Sequence, residues 1–162
     1  MTQTITRAAT DKIIGYLTSE TGLSASLAEL SDEPAMTFDG FRVHASNAAP
    51  DLAEKTVGAK YPAVYVYCDR LFNTMTEKFR RFSGRVQAVV DVRLTLHRLE
   101  TLSETVELYV DAVVDVLARS RGDWGNGLFY AGKYEVAFAP VKHGGKNFLA
   151  TAKVVFDIEV SK

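Results

Sequence analysis

Histidines, a cysteine and glycine-rich turns are where chemistry would first show in this chain. His44, His97 and His143 are far apart, and none has a neighbour at metal-ligand spacing. That spacing supports solvated side chains, with His97 on the polar side of a strand and His143 in a turn. Cys68 adjoins Asp69, but no motif sets a histidine beside it. In an apolar strand it reads as a small buried hydrophobe before a nucleophile. GDWGNG places Gly122, Gly125 and Gly127 in the wrong order for a dinucleotide fingerprint, and it follows a helix where the fingerprint follows a strand. Gly145-Lys146 fails as a phosphate loop, because Pro140 stands where a glycine is needed and Asn147 where a hydroxyl is needed. Both segments predict turns. No residue is assigned as catalytic, cofactor-binding or metal-binding.

The most suggestive cluster is Lys78-Phe79-Arg80-Arg81-Phe82, with Arg85 close behind and Phe72 before it. Cations interleaved with aromatics serve protein interfaces and nucleic acid alike. A formal net charge of −1 favours the protein contact. A solvated hairpin with a small aromatic anchor is the plainer alternative. Trp124 either anchors an interface or plugs the end of the core. Glu104, Glu107, Asp111 and Asp115 share one helix face, which is an acidic solvent face or the counterpart of a basic partner.

The chain must bury enough surface to hold these residues in place. At 162 residues it is long enough for one domain, expected over 1–162, to do so without staples. Hydrophobic residues at 47% and charged ones at 24% argue for a packed core over disorder. One cysteine makes no internal disulfide. MTQTITRAATDKIIGYL lacks the apolar core and cleavage site of a signal peptide, and no run approaches the roughly 20 apolar residues of a membrane span. A cytoplasmic site of synthesis is the expectation.

Periodicity then supplies the elements. Ile5, Ala8, Ala9, Ile13, Tyr16 and Leu17 predict a helix over about 4–20, and Leu23, Leu27 and Leu30 one or two further turns. Residues 36–60 carry little signal; FDGFRVH reads as a short strand or hairpin and PDLAEK as a helical turn. YPAVYVYC reads as a strand that is apolar on both faces, hence interior to a sheet or covered on both sides. The long connection DRLFNTMTEKFRRFSG, 69–84, has no clear period, and connections of that length in compact domains are usually functional or projecting.

GRVQAVVDVRLTLHRL alternates Val86, Ala88, Val90, Val92, Leu94 and Leu96 against Gln87, Asp91, Arg93, Thr95 and His97, the pattern of a half-buried strand. The segment that follows switches to helical spacing, with Leu102, Val106, Tyr109, Val110, Val113 and Leu117 in one stripe. Thr101 and Glu104 match a capping box, and Gly122 suits the turn beyond the helix. Two strands, 128–138 and 148–160, close the chain as an antiparallel hairpin around APVKHGGKN. The expected fold class is α+β: a mainly antiparallel sheet of four or more strands, with an N-terminal helix and a long central helix on one face.

This succession, with YPAVYVYCD, LYVDAVVDVLARSR and VVFDIEVS as its landmarks, resembles the tail terminator (tail completion) proteins of long-tailed bacteriophages and prophage particles. The resemblance is one of architecture over about Thr4 to Val160, and residues 36–60 fit it least. It implies a non-enzymatic virion protein without cofactors. Such a protein forms a ring, hexameric in the family, at the head-proximal end of the tail tube. It would be assembled in the host cytoplasm and contact itself, the tube protein and the head–tail connector. DNA would pass through the ring without sequence-specific binding, and no membrane would be involved. The segments expected to touch partners are the 70–85 connection and the Lys142–Asn147 turn. The interface candidates are Phe72, Lys78, Phe79, Arg80, Arg81, Phe82, Arg85, Lys142, His143 and Lys146 in these segments, and Trp124 beside the end of the central helix. Another neck, head-closure or adaptor protein is the alternative within that class. Outside it stand a small ligand-binding or enzymatic domain lined by Tyr65, Tyr67 and Tyr134, and a nucleic-acid module using 78–85.

Overall fold

A computed structural model of the chain describes residues 3–31, 42–47, 61–96, 99–144 and 147–162. Helix α1 (Ile5–Thr18) starts where Thr4 accepts the Arg7 backbone N–H at 3.2 Å, satisfying one of the free donors of the first turn. It buries Ala8, Ala9, Ile13 and Leu17, and α2 (Leu23–Leu30) adds Leu23 and Leu27. Strand β1 (Arg42–His44) pairs in parallel with β2 (Ala63–Asn73), and β2 pairs antiparallel with β3 (Ser83–Leu96). Helix α3 (Leu99–Arg119) follows. The remaining strands are β4 (Gly122–Gly125), β5 (Leu128–Tyr130), β6 (Glu135–Phe138), β7 (Lys142–Gly144) and β8 (Asn147–Ser161).

Among the described residues these make one mixed, mainly antiparallel sheet in the order β1-β2-β3-β8-β5-β4, with β6 and β7 also paired to β8. The fold is thus α+β, as the periodicity predicts. The two longest strands, β3 and β8, run side by side from Ser83↔Ser161 to Leu96↔Phe148. Their inward residues, Val86 to Leu94 on β3 and Ala150 to Val160 on β8, meet the stripe of α3 that includes Leu102, Val113 and Leu117. Each large side chain buried there contributes about 1.5–3 kcal/mol.

Four local expectations change, the first being that residues 69–73 of the expected connection continue β2, so that only 74–82 form a loop. Helix α3 begins at Leu99, so Thr101 lies within the first turn and not at its cap; Thr105 Oγ1 donates to the Thr101 carbonyl at 2.6 Å, a bond of the helix interior. The single strand expected over 128–138 is two, because β5 pairs with the end of β8 and β6 with its middle, and the chain steps between them through Gly132 at φ +106°. His143 lies in β7, opposite Phe148, and not in a turn. The turn joining β4 to β5 uses Asn126 and Gly127 at φ 55° and 76°. A Cβ on Gly127 would stand 2.0 Å from the Ser161 carbonyl oxygen, so only glycine lets this turn close on the end of β8. The expected helical turn at PDLAEK, the reversal at 145–146 and His97 lie outside the described residues.

Candidate functional site

Strand β2 changes character at a bulge. Ala63 to Tyr67 are all buried, as expected for a strand covered on both faces. Cys68 opposes Ala88 and Arg70 opposes Gln87, so Asp69 is the extra residue. Beyond it the strand is largely exposed and runs out with the start of β3 as a hairpin. Its root needs Gly84: a Cβ there would stand 1.8 Å from the Phe72 carbonyl oxygen of the paired strand. Cys68 itself is half-buried against Thr6 and Thr10. Burial pushes its thiol up, the Thr10 contact offsets part of that, and a neutral thiol is a poor nucleophile.

The hairpin end is organised by polar groups. Thr74 and Met75 both donate backbone N–H to the Ser83 carbonyl, at 3.0 and 2.9 Å. Asn73 Oδ1 accepts the N–H groups of Met75 and Ser83 at 3.4 and 3.2 Å. Ser83 Oγ, fully buried, accepts the Glu77 N–H at 2.9 Å. Glu77 Oε2 accepts from Ser161 Oγ at 2.8 Å and from Arg80 Nε at 3.1 Å. The Ser161 hydroxyl first, and then Arg80, hold this carboxyl below the ordinary carboxylate range. Phe82 and Lys162 exchange backbone bonds at 2.8 and 2.7 Å, fastening the returning strand to the end of β8.

What this framework presents outward is Lys78, Phe79 and Arg81. Phe79 is as exposed as in an extended peptide, and neither cation makes an ion pair among the described residues. Of the other residues expected here, Arg80 is tied to Glu77. Phe72 is half-buried beneath the Arg85 guanidinium, 4.4 Å from its ring centre, and Phe82 packs against the core.

The other expected contacts do not join this cluster. Lys142 and His143 are exposed on β7, at the Asn147 end of β8, whereas the hairpin sits at the Ser161 end. A strand of that length puts roughly 45 Å between them. Lys146 lies outside the described residues. Trp124 is buried, packed between Tyr16 and Tyr130 at 5.2 and 5.7 Å, and its Nε1 donates to the Ser120 carbonyl at 2.6 Å. It plugs the core below the end of α3 and is withdrawn from the interface candidates, since its ring has no surface to offer. Of the three tyrosines proposed for a pocket, Tyr65 is buried in the sheet, and Tyr67 and Tyr134 border separate grooves.

Sequence reasoning missed one polar site. Asp91 and Arg93, expected on a solvated face, are buried there, with side chains 4% and 3% exposed. Arg93 donates from Nη2 and Nε to Asp91 Oδ2 at 2.9 and 3.2 Å, and its guanidinium lies 4.0 Å from the Tyr65 ring centre. His44 stacks on the same tyrosine from the β1 side, at 4.9 Å. The signal was available: Tyr65 and Tyr67 require cover over their face of β2, and whatever covers them extends over their neighbours on β3.

No protein-family model and no curated protein matches the chain. Among solved structures, a chain of one described as "Virion of native gene transfer agent (GTA) particle" aligns over 97% of this chain and 96% of its own length. Its identity is 13% and the TM-score 0.48, too low to establish a shared fold or role.

Proposed function

We propose that the chain is a structural assembly protein of a phage-type particle, a tail terminator. Its copies close into a ring, hexameric in the family it resembles, at the head-proximal end of a tail tube. There the ring stops tube growth and offers a surface to the head connector. One observation carries the reading: the loop 74–82 at the end of the sheet is held in shape by hydrogen bonds to Asn73, Ser83 and the end of β8, and it exposes Phe79 beside Lys78 and Arg81, which make no ion pair among the described residues. An exposed loop already ordered by its own chain is suited to another subunit, since little ordering entropy is lost on docking. Lys142 and His143, at the opposite end of the sheet, give the subunit a second exposed surface for a different neighbour.

The test is assembly. Light scattering and negative-stain microscopy of the purified chain should give a ring of several subunits, and adding it to polymerising tube protein should arrest growth at one end. A monomer that leaves tube length unchanged would sink the proposal. Binding to DNA that weakens steeply with salt, without a ring, would move the assignment to the nucleic-acid reading.

A further inference from the structure

The hairpin end has an electrostatic counterpart in the same chain but out of its own reach. Glu104, Glu107 and Asp111 are exposed on α3, three and four residues apart and so on one face. None of the three pairs with a cation among the described residues, whereas Asp115, next along that face, is already held by Arg119 and Ser26. Leu108, half-buried and packed against the core, borders this face. The basic hairpin end has the matching composition, with Phe79 flanked by Lys78 and Arg81.

The topology keeps these two surfaces apart. Helix α3 starts beyond Leu96, at the end of β3 farthest from the hairpin, and runs back toward it; β4 and β5 then pair at the Val160 end of β8. Strand and helix rises place Glu107 roughly 30 Å from Ser83 along the sheet, with the hairpin end farther still. That exceeds the Debye length of about 8 Å severalfold, so neither patch neutralises the other within one molecule.

We infer that the Lys78-Phe79-Arg81 end of the hairpin docks on the Glu104-Glu107-Asp111 face of α3 in a second copy of this chain. Phe79 covers Leu108, and the two cations meet the carboxylates. The contact is heterologous, joining unlike surfaces, so each copy uses both and the chain of contacts closes into a ring or runs on as a filament. This inference rests on the ring reading above and names its subunit joint.

The test uses two charge-reversed full-length chains, Lys78→Glu/Arg81→Glu and Glu107→Lys/Asp111→Lys. All four positions are exposed, and far-ultraviolet circular dichroism and thermal unfolding should match the unaltered chain. Each reversed chain alone should show an apparent dissociation constant raised at least about tenfold by light scattering, because like charges now face each other. Mixed in equal amounts, the two should recover assembly, since each hairpin again finds an opposite face. Unaltered assembly should also weaken as sodium chloride is raised. If the reversed chains assemble normally, or if the mixture fails to recover, the joint lies elsewhere and the docking is wrong while a ring still stands. If recovery yields only a closed dimer, the docking holds and the ring reading fails. An unaltered chain that stays monomeric at every concentration and salt overturns both.

Discussion

Arg85 and Arg93 lie on the same face of the same strand, roughly 26 Å apart, and each meets an aspartate and an aromatic ring. Arg85 reaches Asp157 at 3.6 Å and covers Phe72 at 4.4 Å; Arg93 reaches Asp91 at 2.9 Å and covers Tyr65 at 4.0 Å. The groups are alike, yet the first pair is 50% and 46% exposed and the second 3% and 4%. Water screens the first and leaves it nearly free to break. The second is desolvated, so removing Arg93 strands the Asp91 carboxylate in the interior. Composition is the same at both ends, and the medium decides what it does. The dry end is sealed within the fold, and the wet end stays exposed.

The sharpest way to break this comparison is Arg93→Ala. It should cost about 3–5 kcal/mol in urea unfolding, because Asp91 is left buried and uncompensated. A loss below about 1 kcal/mol would mean that water reaches the pair, and the two ends would then be equivalent. Replacing both partners with Asp91→Leu/Arg93→Met should recover part of the loss, since the Asp91 carboxylate is no longer stranded. That result would separate the cost of a broken pair from the worth of an intact one.

Gly84→Ala tests whether the wet end is loose or merely exposed. The new Cβ would lie 1.8 Å from the Phe72 carbonyl oxygen, a backbone atom fixed by pairing with Arg85. Relief requires the two strands to part at the hairpin root, at about 1–3 kcal/mol. Hydrogen exchange at Phe72 to Thr74 should accelerate while that at Val90 and Val92 does not. Uniform acceleration would show that the hairpin and the covered sheet open as one unit. Arg85→Ala, by contrast, should cost no more than about 1 kcal/mol, and its effect should fall as salt is raised.

The same contrast explains what could be read from the chain. Alternation from Val86 to Leu94, broken only at Val89, calls for a helical stripe as partner, so the inward face of β3 and its helix are legible. Asp91 and Arg93 sit on the polar phase of that alternation, and period alone assigns them to solvent. Their burial follows from a register, Tyr65↔Asp91, that joins distant segments and leaves no local mark. The hairpin was legible in the opposite sense: lack of period around Lys78 to Arg81 indicated a projecting segment. Its rigidity depends on Ser161 and Lys162, whose contacts no local pattern announces. Trp124 illustrates the limit for single residues, because a tryptophan after a helix suits a plug and an anchor equally. Only the rings of Tyr16 and Tyr130 around it decide.

Phe79→Ala should have the smallest effect on stability and the most informative one on assembly. Phe79 is fully exposed and touches no core residue, and surface substitutions of that kind stay within about 0.5 kcal/mol. The backbone at the hairpin end is held by Ser83, Asn73 and Glu77, so the loop keeps its shape without the ring. An exposed aromatic on a rigid arm is also the residue type whose truncation at an interface commonly costs 2 kcal/mol or more, about thirtyfold in affinity. Unchanged urea unfolding with weakened self-association would therefore divide the wet end from the dry one by function as well as by exposure. A stability loss above about 1 kcal/mol would show instead that the ring folds back on its own chain. In that case the hairpin would be an outlying part of the core, and the contrast between Arg85 and Arg93 would be one of degree.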